Sequence, residues 1–253
     1  MFEYRQLHFA RLDRLADPFE GTYPKAFYKA DDATWAELKR RRNDDPDYEN
    51  TTVESFYRML MSGDQGGLRG LSKEIETDPV RKLGFSLASV NYLRRHSYIN
   101  CWHMNKDESD AMWKLYLSSE EGIAIKSSID KLKQGIECCD KKQFIGKVRY
   151  IDYNKPNYDF SKPLTSTLSK RKSFQHEHEL RVVFVDDLFR KSSPDKDDGE
   201  GRSLRCEPEV LIKEIRISPA SGKWIHKLVS SLVHRYKSKI PVKQSALTDL
   251  PAV

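Results

Sequence analysis

The sequence is poor in cysteine and has no long hydrophobic run. Only four of its 253 residues are cysteines, too few and too irregularly spaced for the disulfide framework of a small secreted domain. No apolar run approaches the roughly 20 residues that a membrane-spanning helix needs. Met1 leads directly into polar sequence, without the apolar core of a signal peptide. These absences predict a cytoplasmic protein without a membrane partner.

Several sequence motifs that are typical of common enzyme classes are also absent. The sequence contains no phosphate-binding loop, no Rossmann glycine pattern and no Gly-x-Ser-x-Gly nucleophile elbow. Cys101 and His103 form a Cys-x-His pair, but no second pair stands at zinc spacing. The sequence therefore excludes the classes that these motifs define, and it predicts no set of metal ligands.

The charge of the chain is mixed rather than strongly basic. There are 44 lysines and arginines against 38 acidic residues, which gives a formal net charge of +6. Such a surface permits attraction to phosphates or nucleic acid without demonstrating it, and a solvated face is the better default explanation. Apolar residues make up 38% of the chain and aromatic residues 11%, enough for a sizeable core because aromatic side chains bury large areas.

Hydrophobic patterns predict helices interleaved with runs of strands. We expect strands near residues 7–9, 97–104, 122–126, 144–153, 177–185 and 210–217, and helices near residues 80–95, 109–116, 164–172 and 224–236. Residues 190–202 are acidic and rich in serine and glycine, which indicates a mobile loop. The pattern favours a single α+β domain over residues 1–253, with a central mixed or antiparallel sheet flanked by helices.

The helix predicted near residues 224–236 is amphipathic. Its large apolar residues recur at helical spacing and are expected to face the core: Trp224, Ile225, Leu228, Val229, Leu232 and Tyr236.

The sharpest chemical feature is a Glu-x-Glu-x-Arg segment at the start of a predicted strand. Side chains alternate along a strand, so Glu177, Glu179 and Arg181 should share one face, with the apolar residues between them facing the core. Mutual repulsion between two neighbouring carboxylates raises the pKa of at least one of them. The pair suits a general base or the binding of a ribose diol. The alternative is an exposed strand start whose acids pair with nearby basic residues.

Two further features are weaker candidates for a site. Arg11 offers a guanidinium fork suited to phosphate, although a salt-bridged arginine is an equally ordinary reading. Trp113 and Tyr116 lie three residues apart on a predicted helix, where they would either line a cleft that stacks a base or belong to the core. Together with Glu177 and Glu179, these residues outline a polar cleft.

Seven segments, taken in order, resemble a widespread bacterial family known as domain-of-unknown-function family 2971. Members usually carry a further strand and helix upstream, so we expect any contribution of that segment to the cleft to be missing here. The matching segments are Phe9-Ala10-Arg11 with Asp17-Pro18-Phe19-Glu20-Gly21, Asn100-Cys101-Trp102-His103-Met104, Ala111-Met112-Trp113-Lys114-Leu115-Tyr116, Glu121-Gly122-Ile123-Ala124-Ile125, Val148-Arg149-Tyr150-Ile151-Asp152-Tyr153, Lys170-Arg171-Lys172-Ser173-Phe174 with Glu177-His178-Glu179-Leu180-Arg181, and Ile217-Ser218-Pro219 with Trp224.

A more distant resemblance points to a reaction. An early arginine, a middle polar and aromatic strand, and a late Glu-x-Glu are similar to the ADP-ribosyltransferase superfamily, although the usual Ser-Thr-Ser of the middle strand is absent. This resemblance implies NAD as substrate and a protein or nucleic-acid acceptor, in phage defence or toxin activity. The implied roles are the diphosphate or ribose contact for Arg11, the nicotinamide pocket for Tyr98 and Asn100, stacking for Trp113 or Tyr116, the ribose hydroxyl and oxocarbenium-like state for Glu179, and activation of the acceptor for Glu177.

Two other functions remain open. A metal-dependent nuclease would use Glu177 and Glu179 with Asp17 or Glu20 as ligands. A non-catalytic module would bind a nucleotide or RNA by stacking and clamping it with the side chains of Trp102, Trp113 and Arg171.

Overall fold

A computed structural model describes residues 1–138, 141–155, 164–186 and 201–249. Its helices are α1 (Asp32–Asp44), α2 (Tyr48–Ser62), α3 (Gln65–Thr77), α4 (Pro79–His96), α5 (Asp110–Tyr116), α6 (Ile129–Ile136), α7 (Pro208–Leu211) and α8 (Lys223–Arg235). Its strands are β1 (Gln6–Arg11), β2 (Ser97–His103), β3 (Ile123–Lys126), β4 (Phe144–Lys147), β5 (Arg149–Ile151), β6 (Ser169–Arg171), β7 (Glu179–Val185), β8 (Gly201–Arg205), β9 (Glu214–Ile217) and β10 (Val242–Gln244).

The α+β class predicted from the sequence is confirmed, with antiparallel strand pairs in the main sheet and helices around it. Contacts within the chain define two compact units. The larger unit comprises Phe9–His103 and Lys141–Arg202, and the smaller unit comprises Met1–His8, Met104–Asp140 and Ser203–Val253. The assignment of the whole chain to one domain stays a prediction.

The main sheet has the strand order β4-β7-β2-β1-β8. In the larger unit, β2 pairs antiparallel with β7 along its whole length, from Ser97 opposite Val185 to His103 opposite Glu179. All seven residues of β7 are buried. Both faces of this strand are therefore covered, including the face that carries charged side chains.

Four helices complete the larger unit, and α4 contacts each of the other three. Asp78 caps α4 by accepting hydrogen bonds from the backbone N–H groups of Val80 and Arg81, and Pro79 occupies the first turn. Leu83 and Leu93 lie on its buried face. The helix expected over residues 80–95 is confirmed.

The smaller unit contains a three-stranded sheet in the order β10-β9-β3. β3 runs antiparallel to β9, and β10 runs parallel to it. Cys138 and Cys206 of this unit are free thiols, as is Cys101 of the larger unit. Within the described ranges, no helix has both the length and the apolar character needed to cross a membrane.

Two predicted elements differ from the observed ones. The helix expected over residues 164–172 is instead a short 3-10 turn, Ser166–Leu168, followed by β6. The hydroxyl groups of Thr167 and Ser169 donate to the carbonyl oxygens of Leu164 and Thr165, and such local bonds compete with a regular helix. The strand expected over residues 210–217 begins only at Glu214, after α7. The loop expected over residues 190–202 lies outside the described residues, except for residues 201 and 202, which begin β8.

The orientation predicted for α8 was wrong. Only Ile225 among the six residues expected to face the core is fully buried, and Val233 is buried with it. Four of the six are exposed: Trp224, Leu228, Leu232 and Tyr236. The apolar arc of this helix is wider than the face that packs, so hydrophobic periodicity alone identified the helix but not its buried side.

Substitution of Gly21 tests how closely the turn between β1 and α1 is packed. Its φ is +75°, and an added Cβ would lie 2.7 Å from Leu12 Cδ2. Gly63 has φ +79° with no atom within 4 Å of such a Cβ, so it is a matched control. We expect Gly63→Ala to cost about 1 kcal/mol for the left-handed backbone alone. Gly21→Ala should lower the free energy of unfolding by a further ~1–3 kcal/mol through overpacking. Urea unfolding of both variants measures the difference, and equal losses would contradict the close packing of this turn.

Candidate functional site

Five ionisable side chains converge beside β7 in the larger unit. Their residues are 0–7% exposed, and we call them the buried charge cluster: Glu20, Lys170, Glu177, Glu179 and Arg181. Lys170 Nζ lies 2.6 Å from Glu177 Oε2, 2.9 Å from Glu179 Oε1 and 3.4 Å from Glu20 Oε1. Arg181 Nε donates to Glu179 Oε2 at 2.7 Å, and Arg181 Nη2 lies 2.5 Å from Glu20 Oε2. Each carboxylate thus contacts at least one buried cation.

Three chain segments supply these side chains: the turn that contains Glu20, strand β6 with Lys170, and residues 177–181. Glu179 and Arg181 stand two residues apart on β7 and therefore share a face, as predicted. Glu177 does not belong to the strand, because it ends a 3-10 helix, Lys172–Glu177. His178 follows in the left-handed conformation with φ 41°. The left-handed conformation at His178, rather than strand alternation, therefore places the Glu177 side chain on the same Lys170 ammonium group as Glu179.

The cluster holds three acids and two bases, and its two paired carboxyls differ in acidity. Burial and a hydrogen bond with Glu179 raise the pKa of Glu177 to about 7. Burial by itself would raise the pKa of Glu179, but the bond with Glu177 and the charges of Arg181 and Lys170 lower this pKa to about 2. Near neutral pH the pair can therefore hold one exchangeable proton, while Glu179 stays ionised.

His103 is a candidate that the sequence analysis did not select. Its Nδ1 lies 2.6 Å from the carbonyl oxygen of Glu177, and since a carbonyl only accepts, Nδ1 carries the proton. Nε2 is then a bare acceptor in the neutral ring, and it is buried without a hydrogen-bond partner. In the sequence, His103 itself stood out only in a weak metal motif and in one segment of the family resemblance. The signal that would have identified His103 is its pairing opposite Glu179, which no sequence pattern revealed.

The Asp-Pro-Phe-Glu-Gly turn contributes both to the cluster and to its edge. Asp17 Oδ1 accepts from the backbone N–H of Phe19, which closes the turn, and Glu20 then enters the cluster. Arg171 Nε and Nη2 bind the two carboxylate oxygens of Asp17 at 3.0 and 2.9 Å. The Arg171 guanidinium lies 4.8 Å from the Phe19 ring centroid, and its side chain is 39% exposed. Arg171 is thus a solvent-accessible cation beside the buried carboxyls.

The residues expected to bind the cofactor do not join this cluster. Tyr98 pairs with Phe184 and Asn100 with Val182, so both lie on the face of the sheet opposite Glu179. The Tyr98 ring stacks on Phe184 with centroids 5.0 Å apart.

Arg11 pairs with Tyr98 in the strand register and therefore shares the Tyr98 face. Its Nε donates to Asp13 Oδ1 at 2.7 Å. Trp113 and Tyr116 lie on α5, in the smaller unit. Of the predicted site residues in the larger unit, only Glu177 and Glu179 belong to the buried charge cluster, whereas Arg11, Tyr98 and Asn100 share the other face of the sheet.

The three carboxylates that the nuclease alternative requires already surround a protein cation. Lys170 Nζ lies where Glu20, Glu177 and Glu179 meet, and Asp17 is bound by Arg171. Among the residues that the structure describes, no group of three or more His, Cys, Asp or Glu side chains is arranged to hold a metal ion. This geometry gives the nuclease alternative no support.

Comparison with known proteins adds nothing to this geometry. No family model, no curated protein and no solved structure matches the chain. The family resemblance and the more distant resemblance to ADP-ribosyltransferases therefore stay predictions.

Arg181→Met tests how strongly the cluster stabilises the fold. It keeps much of the side-chain volume but leaves Glu20 and Glu179 buried with one fewer cation, and we expect a loss of about 3–5 kcal/mol in the free energy of unfolding. Arg40 forms only surface ion pairs, with its side chain 63% exposed. Arg40→Met should cost about 0–1 kcal/mol in the same urea titration. Similar losses for the two variants would contradict a structural role of the cluster.

The raised pKa of Glu177 predicts that the free energy of unfolding depends on pH. Its pKa is about 7 in the folded protein, above the ordinary value of 4.5. The folded state holds this proton more tightly, so its stabilising effect is complete below the ordinary value and is lost as the pH rises through about 7. Glu177→Gln is neutral at every pH and lacks this loss. We expect the unfolding free energy of wild type to fall relative to Glu177→Gln as pH rises across this range. Unfolding curves recorded at several pH values measure it, and parallel curves would refute it.

Proposed function

We propose that the protein cleaves the N-glycosidic bond between nicotinamide and ribose in NAD and transfers ADP-ribose to an acceptor or to water. The observation that carries this proposal is a pair of buried carboxyls on one ammonium group, with Lys170 Nζ 2.6 Å from Glu177 Oε2 and 2.9 Å from Glu179 Oε1. The pKa of Glu177 is raised by burial and by Glu179, and the pKa of Glu179 is lowered, despite burial, by the bond with Glu177 and by the two cations. Carboxyls whose surroundings separate their pKa values suit distinct acid–base and electrostatic roles.

Glycosidic bond cleavage develops positive charge on the ribose ring in an oxocarbenium-like transition state. An ionised carboxylate close to the ring stabilises that charge, and this is the role we assign to Glu179. A group that exchanges a proton near neutral pH activates the attacking hydroxyl or water as a general base. We assign this second role to Glu177.

Two neighbouring side chains fit a dinucleotide substrate. Asp17 uses two of the five N–H donors of Arg171, which leaves donors for phosphate oxygens at a half-exposed position. The unpartnered Nε2 of His103 can accept a hydrogen bond from a ribose hydroxyl. Arg11, Tyr98 and Asn100 take no part in this assignment, because they lie on the other face of the sheet.

The acceptor that we propose is a protein or a nucleic acid, in keeping with a net charge of +6 that favours polyanions. Modification of such an acceptor is the chemistry of toxins and of phage defence, and we propose this setting for the activity.

Incubation of the purified protein with NAD, with and without cell extract as a source of acceptors, tests the proposal through nicotinamide release. We expect Glu179→Gln to reduce release by about a hundredfold or more, because the amide lacks the negative charge but can still accept from Arg181. Glu207→Gln, which alters a partly buried glutamate bound to Arg5, is the matched control and should retain the wild-type rate. Absence of release by folded wild-type protein under both conditions would refute the proposal.

A further inference from the structure

Helix α8 of the smaller unit and Tyr236, which follows its last residue, carry four large apolar side chains that solvent reaches. Their exposed fractions are 59% for Trp224, 48% for Leu228, 44% for Leu232 and 39% for Tyr236. Because the four positions recur every fourth residue, they form one ridge along the helix. We call this ridge the α8 stripe, and at 1.5 Å per residue it is about 18 Å long.

The α8 stripe adjoins the face that fixes α8 to its own unit, but it is made of different residues. Ile225 and Val233 provide the buried contacts, and His226 Nε2 lies 3.3 Å from the carbonyl oxygen of Val242 in β10. At the end of the stripe, Phe2 stacks on Tyr236 with ring centroids 5.8 Å apart and so lengthens the apolar surface. The helix is already anchored, and the stripe remains available to another molecule.

The charged residues of α8 and of the segment directly after it are all of one sign. Five exposed cations lie in or directly after the helix: Lys223, Lys227, Arg235, Lys237 and Lys239. The sequence from 222 to 241 contains no aspartate or glutamate. An apolar ridge on a helix whose own charges are all cations complements a surface that is apolar in the middle and acidic at its edge.

We propose that the α8 stripe binds an acidic amphipathic helix of a partner protein. A ridge with four-residue spacing packs into the corresponding groove of a second helix, which accounts for the geometry. The acidic edge of the partner would face the five cations, which accounts for the charge. A second copy of this chain would instead bring two basic edges together, and like charges at such short range oppose binding. This proposal is independent of the reaction proposed above.

The experiment uses the full chain and two synthetic helical peptides with the same leucine stripe. One peptide carries glutamate at its polar positions and the other carries lysine, and binding is followed by fluorescence anisotropy of a label on the peptide. We expect the glutamate peptide to bind at least about tenfold more tightly than the lysine peptide, with affinity falling as salt is added. Lys227→Glu and Leu228→Ser should each weaken binding of the glutamate peptide by about tenfold.

Two variants match these changes at other exposed positions. Lys39→Glu reverses one exposed charge on α1, and Leu247→Ser removes a leucine that is 45% exposed elsewhere in the smaller unit. Both should bind the glutamate peptide like wild type. All four changes affect exposed side chains, and circular dichroism confirms that each variant is folded.

Three results would overturn the proposal. The first is equal binding of the two peptides, or binding that Leu228→Ser leaves unchanged. The second is a dimer of the wild-type chain in analytical ultracentrifugation that Leu228→Ser converts to a monomer, which would assign the stripe to a second copy. The third is that the wild-type protein does not bind the glutamate peptide but binds phosphatidylserine vesicles, and that Leu228→Ser abolishes the vesicle binding.

Discussion

The burial of one guanidinium group constrains the larger unit more than any other interaction. Arg181 is fully buried in β7, and an unpaired charge in such a position would be very costly. The charge of Arg181 is balanced by Glu179 from the same strand and by Glu20 from the turn after β1. Its Nη1 also donates to the carbonyl oxygen of Thr167 at 2.9 Å. The conformations of the early turn and of the segment before β6 are therefore tied to the charge on one strand.

The same requirement produces the chemical asymmetry of the site. The two cations stabilise the ionised form of Glu179, whereas burial and the neighbouring acid favour the protonated form of Glu177. The backbone carbonyl of Glu177 also orients the His103 ring. Structural stability and possible reactivity are thus properties of one set of side chains, which explains why residue types alone could not separate an ionic network from an active site.

Local patterns predicted the parts of the structure that depend on near neighbours. Hydrophobic spacing identified α4, and strand alternation placed Glu179 and Arg181 on one face. The left-handed turn at His178 and the separation of Glu179 from Tyr98 across the sheet were not predictable in this way. The first depends on a backbone conformation without a glycine to mark it, and the second on a strand register set by long-range packing. The exposed side of α8 was missed because an apolar arc does not reveal which part of it packs.

The arrangement around Arg181 also bears on how this sequence can change over generations. Replacement of any one member of the trio Glu20, Glu179 and Arg181 leaves a partner charge buried with less compensation, so the effects of substitutions at these positions are strongly non-additive. A lineage that loses the arginine can remain folded most easily if the acids change as well. These three positions come from opposite ends of the larger unit's sequence. We expect substitutions at them to occur together or not at all.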